Sequence, residues 1–305
     1  MSNDQLNLPT LKLVKYEIPN SAKTYKPNAP FMARVIVNEH LTEEGSSVDI
    51  RNIVLDLSDS GIQYIEGQSL GVIPPGIQED GRPHRVRLYS IASSRTGEFG
   101  CSQTVTLCVK RVIYQNEEGQ DVRGVASNYL CDLQVGEAVS VMGPTGRTFL
   151  LPQDDSVNLI LVAAGTGIAP FRSFIQRIYR DKKHWNGQVR LFFGARNGME
   201  SIYMNRKNDD IGQYMSQETF EAFNAFSHAE TGTPRGYVQD QVHANQEEIC
   251  AMIDEGNFSF YLCGMKAMEA GVEEVFRNHA ERNGRNWEEL KAAFKAQGRW
   301  NTETY

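Results

Sequence analysis

Val157-Asn158-Leu159-Ile160-Leu161-Val162-Ala163-Ala164-Gly165-Thr166-Gly167-Ile168-Ala169-Pro170 is the stretch that decides the fold. Its first eight residues are a near-continuous apolar run. A strand buried on both faces reads this way, and such strands belong to parallel sheets covered by helices. Phe171, Phe174, Ile175, Ile178 and Tyr179 then fall on one helical stripe. Glycines at a strand-to-helix turn let the backbone approach a phosphate, and the helix start offers unpaired N–H groups. Pro170 suits a first helical turn, where its missing N–H costs nothing. The motif is GxGxxP, not GxGxxG. It is therefore the position between strand and helix that favours a phosphate site at Gly165, Thr166 and Gly167 over a plain turn.

Downstream, strand and helix keep alternating. Val189–Phe193 and Phe258–Cys263 read as strands, and helices are expected over Val238–Ile253, Ala267–Arg282 and Trp287–Gln297. Residues 157–305 are thus read as an α/β domain with a doubly wound parallel sheet. Ligands in such folds bind at the carboxyl edge of the sheet. Two further loops lie there, Cys263-Gly264-Met265 and Ser227 to Arg235-Gly236-Tyr237. Arg235 with Ser227 and Tyr237 suits a phosphate beside a base, or Arg235 is a solvated loop charge. Cys263 is either a site residue or a small buried one.

Upstream the grammar differs. Met32–Val37, Asn52–Leu57, Val105–Val109 and Ala138–Met142 are short strand candidates separated by turns such as Pro74-Pro75-Gly76 and Gly143-Pro144. Residues 26–151 are read as a closed antiparallel β-barrel, with a polar linker at 152–156 and a loose polar arm at 1–25. Within the barrel, Arg87-Leu88-Tyr89-Ser90-Ile91-Ala92-Ser93 reads as a strand. Arg87 and Tyr89 share one face, roughly 7 Å apart. A guanidinium beside a phenol ring suits a ligand with a phosphate and an aromatic system. Alone, the stretch better fits an ordinary half-exposed strand with a core tyrosine. For Ser90 to join the same ligand, the strand has to bend or end there.

The totals exclude several classes. At 305 residues, 40% hydrophobic and 23% charged, the chain is long enough for two domains with proper cores. A net charge of −7 and a pI near 5.5 argue against general nucleic-acid binding. No apolar run approaches a membrane span, and Met1-Ser2-Asn3-Asp4-Gln5 does not open a signal peptide. Five cysteines without a CxxC pair predict neither a metal site nor a disulfide framework, so a reducing cytoplasm is the default.

Taken together, these stretches strongly resemble the plant- and cyanobacterial-type ferredoxin–NADP+ reductases. The likeness runs from Tyr25 to Tyr305 and includes Tyr64–Ser69, Gly71–Gly76, Arg87–Ser93, Leu107–Lys110, Gly124–Leu130, Gly165–Pro170, Tyr237–Asp240 and Gly298–Trp300 with Glu303–Tyr305. The resemblance implies two cofactors, FAD and NADP(H). It implies that Arg87 holds the FAD pyrophosphate, Tyr89 stacks on the isoalloxazine and Ser90 bonds near its N5. Tyr114 matches the ring on the FAD adenine, and Gly124, Val125, Ala126 and Ser127 match a second pyrophosphate loop. Tyr305 matches the terminal aromatic over the other flavin face, and Cys263 and Glu303 match groups lining the hydride-transfer site. Lys110, Gly165, Thr166 and Gly167 would meet the NADP pyrophosphate, with Gly264, Met265 and Gln239 nearby. Ser227, Arg235 and Tyr237 would take the 2′-phosphate and adenine.

Departures from the family bear on specificity and partner. His228 stands where a second arginine is common, which predicts an NADPH preference that persists but narrows. Arg196 is extra, and Ala164 replaces a common threonine. Lys26, Arg82, Arg85 and Arg147 match basic positions for docking ferredoxin or flavodoxin, whereas Ala292 and Ala296 replace basic residues of the last helix. Two other readings stay open: the reductase component of an oxygenase or epoxidase, and a non-catalytic flavin- or nucleotide-sensing module. The expected place is a bacterial cytoplasm or the periphery of a photosynthetic membrane.

Overall fold

The computed structural model describes residues 12–20, 22–100, 103–228 and 235–305. Strands β1 (Phe31–His40), β2 (Ile50–Asp56), β3 (Ser69–Ile73), β4 (Arg87–Ser90) and β5 (Thr104–Lys110) come first. A short ribbon of β6 (Ile113–Gln115) and β7 (Asp121–Arg123), helix α1 (Val125–Asp132) and β8 (Ala138–Thr145) follow. The large sheet is antiparallel throughout, in the order β4-β3-β8-β1-β2-β5. Its two edges meet just past β4, where Ile91 bridges Leu107 and Ala92 N–H donates to the Thr106 carbonyl at 2.8 Å. The sheet thereby closes into a barrel. The regular strand ends at Ser90; Ile91 N–H still bonds the Gln68 carbonyl, in step with the Ser69–Ser90 pair, while Ile91 also bridges Leu107 on β5.

The second half contains β9 (Asn158–Ala164), α2 (Ala169–Ile175), β10 (Val189–Ala195), β11 (Phe220–Phe226), α3 (Val238–Ala244), α4 (Gln246–Asp254), β12 (Phe258–Gly264), α5 (Ala267–Arg282), α6 (Trp287–Ala296) and β13 (Trp300–Thr304). Its five strands are parallel in the order β11-β10-β9-β12-β13. Alternation along β9 explains its unbroken apolar sequence. Leu159, Leu161 and Ala163 enter one core and Ile160 and Val162 the other, so both faces are covered. The first of these cores also takes in Leu41, Ile50, Ala92 and Cys108 of the barrel, so one apolar interior crosses the domain junction.

Three expectations are corrected. Residues 12–20 and 22–25 do not form a loose arm. Leu13 N–H donates to the Gln297 carbonyl at 2.9 Å, Tyr16 N–H to Leu151 at 3.1 Å and Tyr25 N–H to Gly143 at 3.0 Å, tying both domains together. The signal-peptide reading of residues 1–5 lies outside the described residues. The helix expected over Val238–Ile253 breaks at Asn245, which leaves helical backbone geometry and bonds the Gln241 carbonyl through its own amide. The helix after Pro170 is α-helical only to Ile175 and then widens to π winding over Gln176–Lys182, carrying Gln176, Arg180 and Asp181 onto barrel residues 94–98.

Candidate functional site

β4 presents Arg87 to solvent and leaves Tyr89 half-buried against a core that includes Leu130 and Cys131 of α1. Burial pushes the Tyr89 phenol up to about 12, so it stays a neutral ring with a donor hydroxyl. Among the described residues the Arg87 guanidinium makes two long bonds, both 3.3 Å, to the carbonyls of Arg85 and Val86. A charge so weakly engaged has capacity for an anion. Nearby, α1 begins at Gly124 with no side chain capping its first-turn N–H groups. The Ser127 hydroxyl is already engaged, accepting from Val112 N–H at 3.2 Å and donating to the Gly124 carbonyl at 3.3 Å. Gly124, Val125, Ala126 and Ser127 therefore offer a ligand their backbone, not that hydroxyl. Tyr114 stands on the β6–β7 ribbon with 56% of its surface exposed, open to stacking. A weakly bound guanidinium, an uncapped helix start and two accessible rings fit FAD.

The parallel sheet supplies the facing half. Gly165–Ile168 forms a single 3₁₀ turn between β9 and α2. A Cβ on Gly167 would lie 2.1 Å from the Cys263 carbonyl oxygen, so only glycine lets this turn pack on the end of β12. Gly165 takes φ +55°, and the position of its absent Cβ faces open space. β5, which ends at Lys110, packs against the same turn. Next to it, Cys263 and Glu303 are register partners on β12 and β13. Burial, reinforced by Glu303, pushes the Cys263 thiol up, and burial pushes the Glu303 carboxyl up to about 7. Both groups are thus predominantly or partly neutral near pH 7, which suits an uncharged ring.

Gly264, Met265 and Tyr305 close this edge. Tyr305 N–H donates to the Gly264 carbonyl at 3.1 Å, and a 2.9 Å hydrogen bond joins the Tyr305 and Thr166 hydroxyls. Tyr305 still exposes 68% of its surface. Ala92, two residues past Ser90, shares its core with Ile168 and Cys263. The segment that follows β4 therefore enters the core shared by the glycine turn and Cys263.

The third group sits farther along the edge. Backbone pairing of β10 with β11 continues past the strands, with Ser227 N–H bonded to Ala195 at 3.1 Å and His228 N–H to Arg196 at 2.7 Å. That register places Arg196 next to Ser227 and His228, a neighbour that spacing alone does not show. The Ser227 hydroxyl and His228 Nδ1 are 3.0 Å apart. Gly236 N–H bonds the Phe226 carbonyl at 3.0 Å, bringing Arg235 and Tyr237 back to the same edge, both exposed. The Asp240 carboxylate accepts from Tyr237 N–H at 2.6 Å and starts α3, while Gln239 packs on Gly271 of α5. Residues 229–234 of this loop lie outside the described residues.

A closed barrel with an aromatic–guanidinium strand, joined to a parallel sheet with a glycine turn, defines a two-domain flavin and nicotinamide oxidoreductase. The Oxidoreductase FAD-binding domain matches residues 38–149 and the Oxidoreductase NAD-binding domain residues 161–274. The chain is 38% identical over 288 residues to the ferredoxin–NADP reductase of Synechocystis sp., covering 92% of this chain and 69% of that one. It is 36% identical over 297 residues to that of Spirulina sp., covering 95% of this chain and all of the relative. Ferredoxin-NADP+ reductase from Plasmodium falciparum shares the fold, with a TM-score of 0.74 at 20% identity over 94% of this chain and all of that one. The chain belongs to the ferredoxin–NADP reductase family. It is accordingly an FAD- and NADP(H)-dependent oxidoreductase. Among the described residues no helix is long and apolar enough to cross a membrane.

Proposed function

We propose that this chain passes electrons between NADP(H) and a small acidic one-electron carrier, a ferredoxin or flavodoxin. The observation that supports this reading is that Ala92, two residues past Ser90, shares a core with Ile168 and Cys263, while Glu303 is the register partner of Cys263 and Tyr305 bonds Thr166 of the glycine turn. FAD, when bound, supplies the exchange between a hydride and single electrons. The protein's part is binding and orientation. Arg87 and the start of α1 hold the pyrophosphate, Tyr89 backs one face of the flavin and Tyr114 stacks on the adenine. Gly165, Thr166, Gly167 and Lys110 take the nucleotide's phosphates, with Gly264, Met265 and Gln239 shaping the slot. Ser227, Arg235 and Tyr237 recognise the 2′-phosphate and adenine.

Tyr305 has to leave before the nicotinamide can come within about 3–3.5 Å of its reaction partner. Its hydroxyl gives up Thr166 when it does. Cys263 then borders the nicotinamide ring, and Glu303 and Ser90 handle protons beside the reacting atoms. The buried thiols of Cys108, Cys131, Cys250 and Cys263 suit a reducing cytoplasm.

Docking uses exposed Lys26, Arg82, Arg85 and Arg147. Arg147 lines a cleft with Lys12 and Lys295, cations that the sequence did not single out, and with Lys15, whose amine burial pushes well below its ordinary value. Among the described residues Arg147, Lys12 and Lys295 form no ion pair, so the cleft is positive on a chain of net charge −7. Reduction of cytochrome c by NADPH, with and without added ferredoxin, tests the reading. Strong dependence on ferredoxin is expected. Full activity only with an oxygenase component would favour the oxygenase reductase, and failure to reduce even ferricyanide would favour a sensor.

A further inference from the structure

Arg172, in the first turn of α2, is 1% exposed and heads the large side chains that are fully buried among the described residues. Its guanidinium spans the domain junction. Nη1 donates to the Ala92 carbonyl at 3.0 Å and to Glu98 at 2.9 Å, and Nη2 donates to Glu98 at 2.6 Å. On its own side Nε donates to Asp210 at 3.0 Å, Nη2 also bonds Asp210, and the Tyr203 ring lies 4.6 Å beneath. Glu98 is held in turn by the Thr106 hydroxyl on β5 at 2.6 Å. Burial pushes the Glu98 carboxyl up, but the Arg172 charge and its hydrogen bonds bring it below its ordinary range, so the pair is ionised.

Ala92 is two residues past Ser90, and Arg172 is five past Gly167. One planar fork thus grips both the segment that leaves the flavin strand and the helix that follows the nucleotide turn. Apolar packing across the junction can slide. Five donors in a fixed plane cannot shift without losing bonds. We propose that Arg172 is a positioning residue for hydride transfer, setting through Glu98 and the Ala92 carbonyl where Ser90 stands relative to the Gly165–Gly167 turn. This rests on the hydride-transfer reading above.

The test compares Glu98→Gln with Asp210→Asn in the full FAD-loaded protein. Both remove one charge facing Arg172, but only Glu98 belongs to the barrel. Flavin bleaching at saturating NADPH is followed well below both melting temperatures, together with KM and amide hydrogen exchange at residues 92–98 without nucleotide. Glu98→Gln is expected to slow bleaching at least tenfold, keep KM within twofold and speed exchange at 92–98. Asp210→Asn is expected to change all three less than threefold. A misplacement near 1 Å is enough for a loss of this size. Equal slowing by both variants, or none by Glu98→Gln, would overturn the proposal. If Glu98→Gln does not fold, Arg172→Lys, which keeps the charge but not the fork, takes its place with the same expected result. If the unmodified protein is not bleached at all, the functional reading fails, and unchanged exchange at 92–98 then separately overturns the link.

Discussion

Cys263 and Glu303 lie side by side as register partners on adjacent parallel strands, a buried thiol against a carboxyl raised to about 7 by its surroundings. Neutral below that pH, Glu303 can donate a hydrogen bond; charged above it, it can only accept. Bleaching by NADPH should therefore slow as pH rises through about 7, and Glu303→Gln should remove the inflection. Stability carries the same sign. The folded value lies above the ordinary 4.5, so the group's contribution is full below 4.5 and is lost as pH climbs to about 7. Melting curves between pH 5 and 8 should fall less steeply for Glu303→Gln than for the unmodified protein.

Gly167 is fixed by the Cys263 carbonyl, 2.1 Å from where a methyl would stand. Gly167→Ala should cost about 1–3 kcal/mol of stability by overpacking. It should also weaken NADP+ binding at least tenfold, because the turn has to back away from β12. Thermal unfolding and a binding titration check both. Unchanged values would show that the turn packs elsewhere.

On the proposed reading, nucleotide specificity rests on Arg235 and Arg196 beside Ser227 and His228. His228→Arg should raise the NADPH-to-NADH efficiency ratio by about fivefold, the size of one exposed charge contact near 1 kcal/mol. Arg235→Ala and Arg196→Ala should each lower it. If NADH equals NADPH in the unmodified protein, Arg235 does not hold a 2′-phosphate.

Association with an acidic carrier should slow as salt rises, since the Debye length shrinks to roughly 8 Å at physiological ionic strength. Arg147→Glu should slow it further and flatten the salt dependence. A rate indifferent to ionic strength would remove the basic cleft from the docking surface.

What the sequence made legible follows from what is local. β9 announces itself because both of its faces are buried, and the spans of α5 and α6 follow from helical spacing. β13 stays hidden because Asn301, Thr302, Glu303 and Thr304 are polar, and this edge strand pairs only with β12. Helix α1 is eight residues of mixed character that no period reveals. The glycine turn was readable from its place between strand and helix, whereas the FAD contacts came from resemblance. Arg172 could not be read at all. It lies off the apolar stripe of its helix, and its partners Glu98 and Asp210 lie 74 and 38 residues away.

The most direct measurement is an absorbance spectrum of the purified protein before and after anaerobic NADPH. Bands at roughly 370 and 450 nm that bleach on addition are expected of a flavin held between Tyr89 and Tyr305 within reach of the nicotinamide. A protein that stays colourless after incubation with FAD, or keeps its colour in NADPH, would contradict the account.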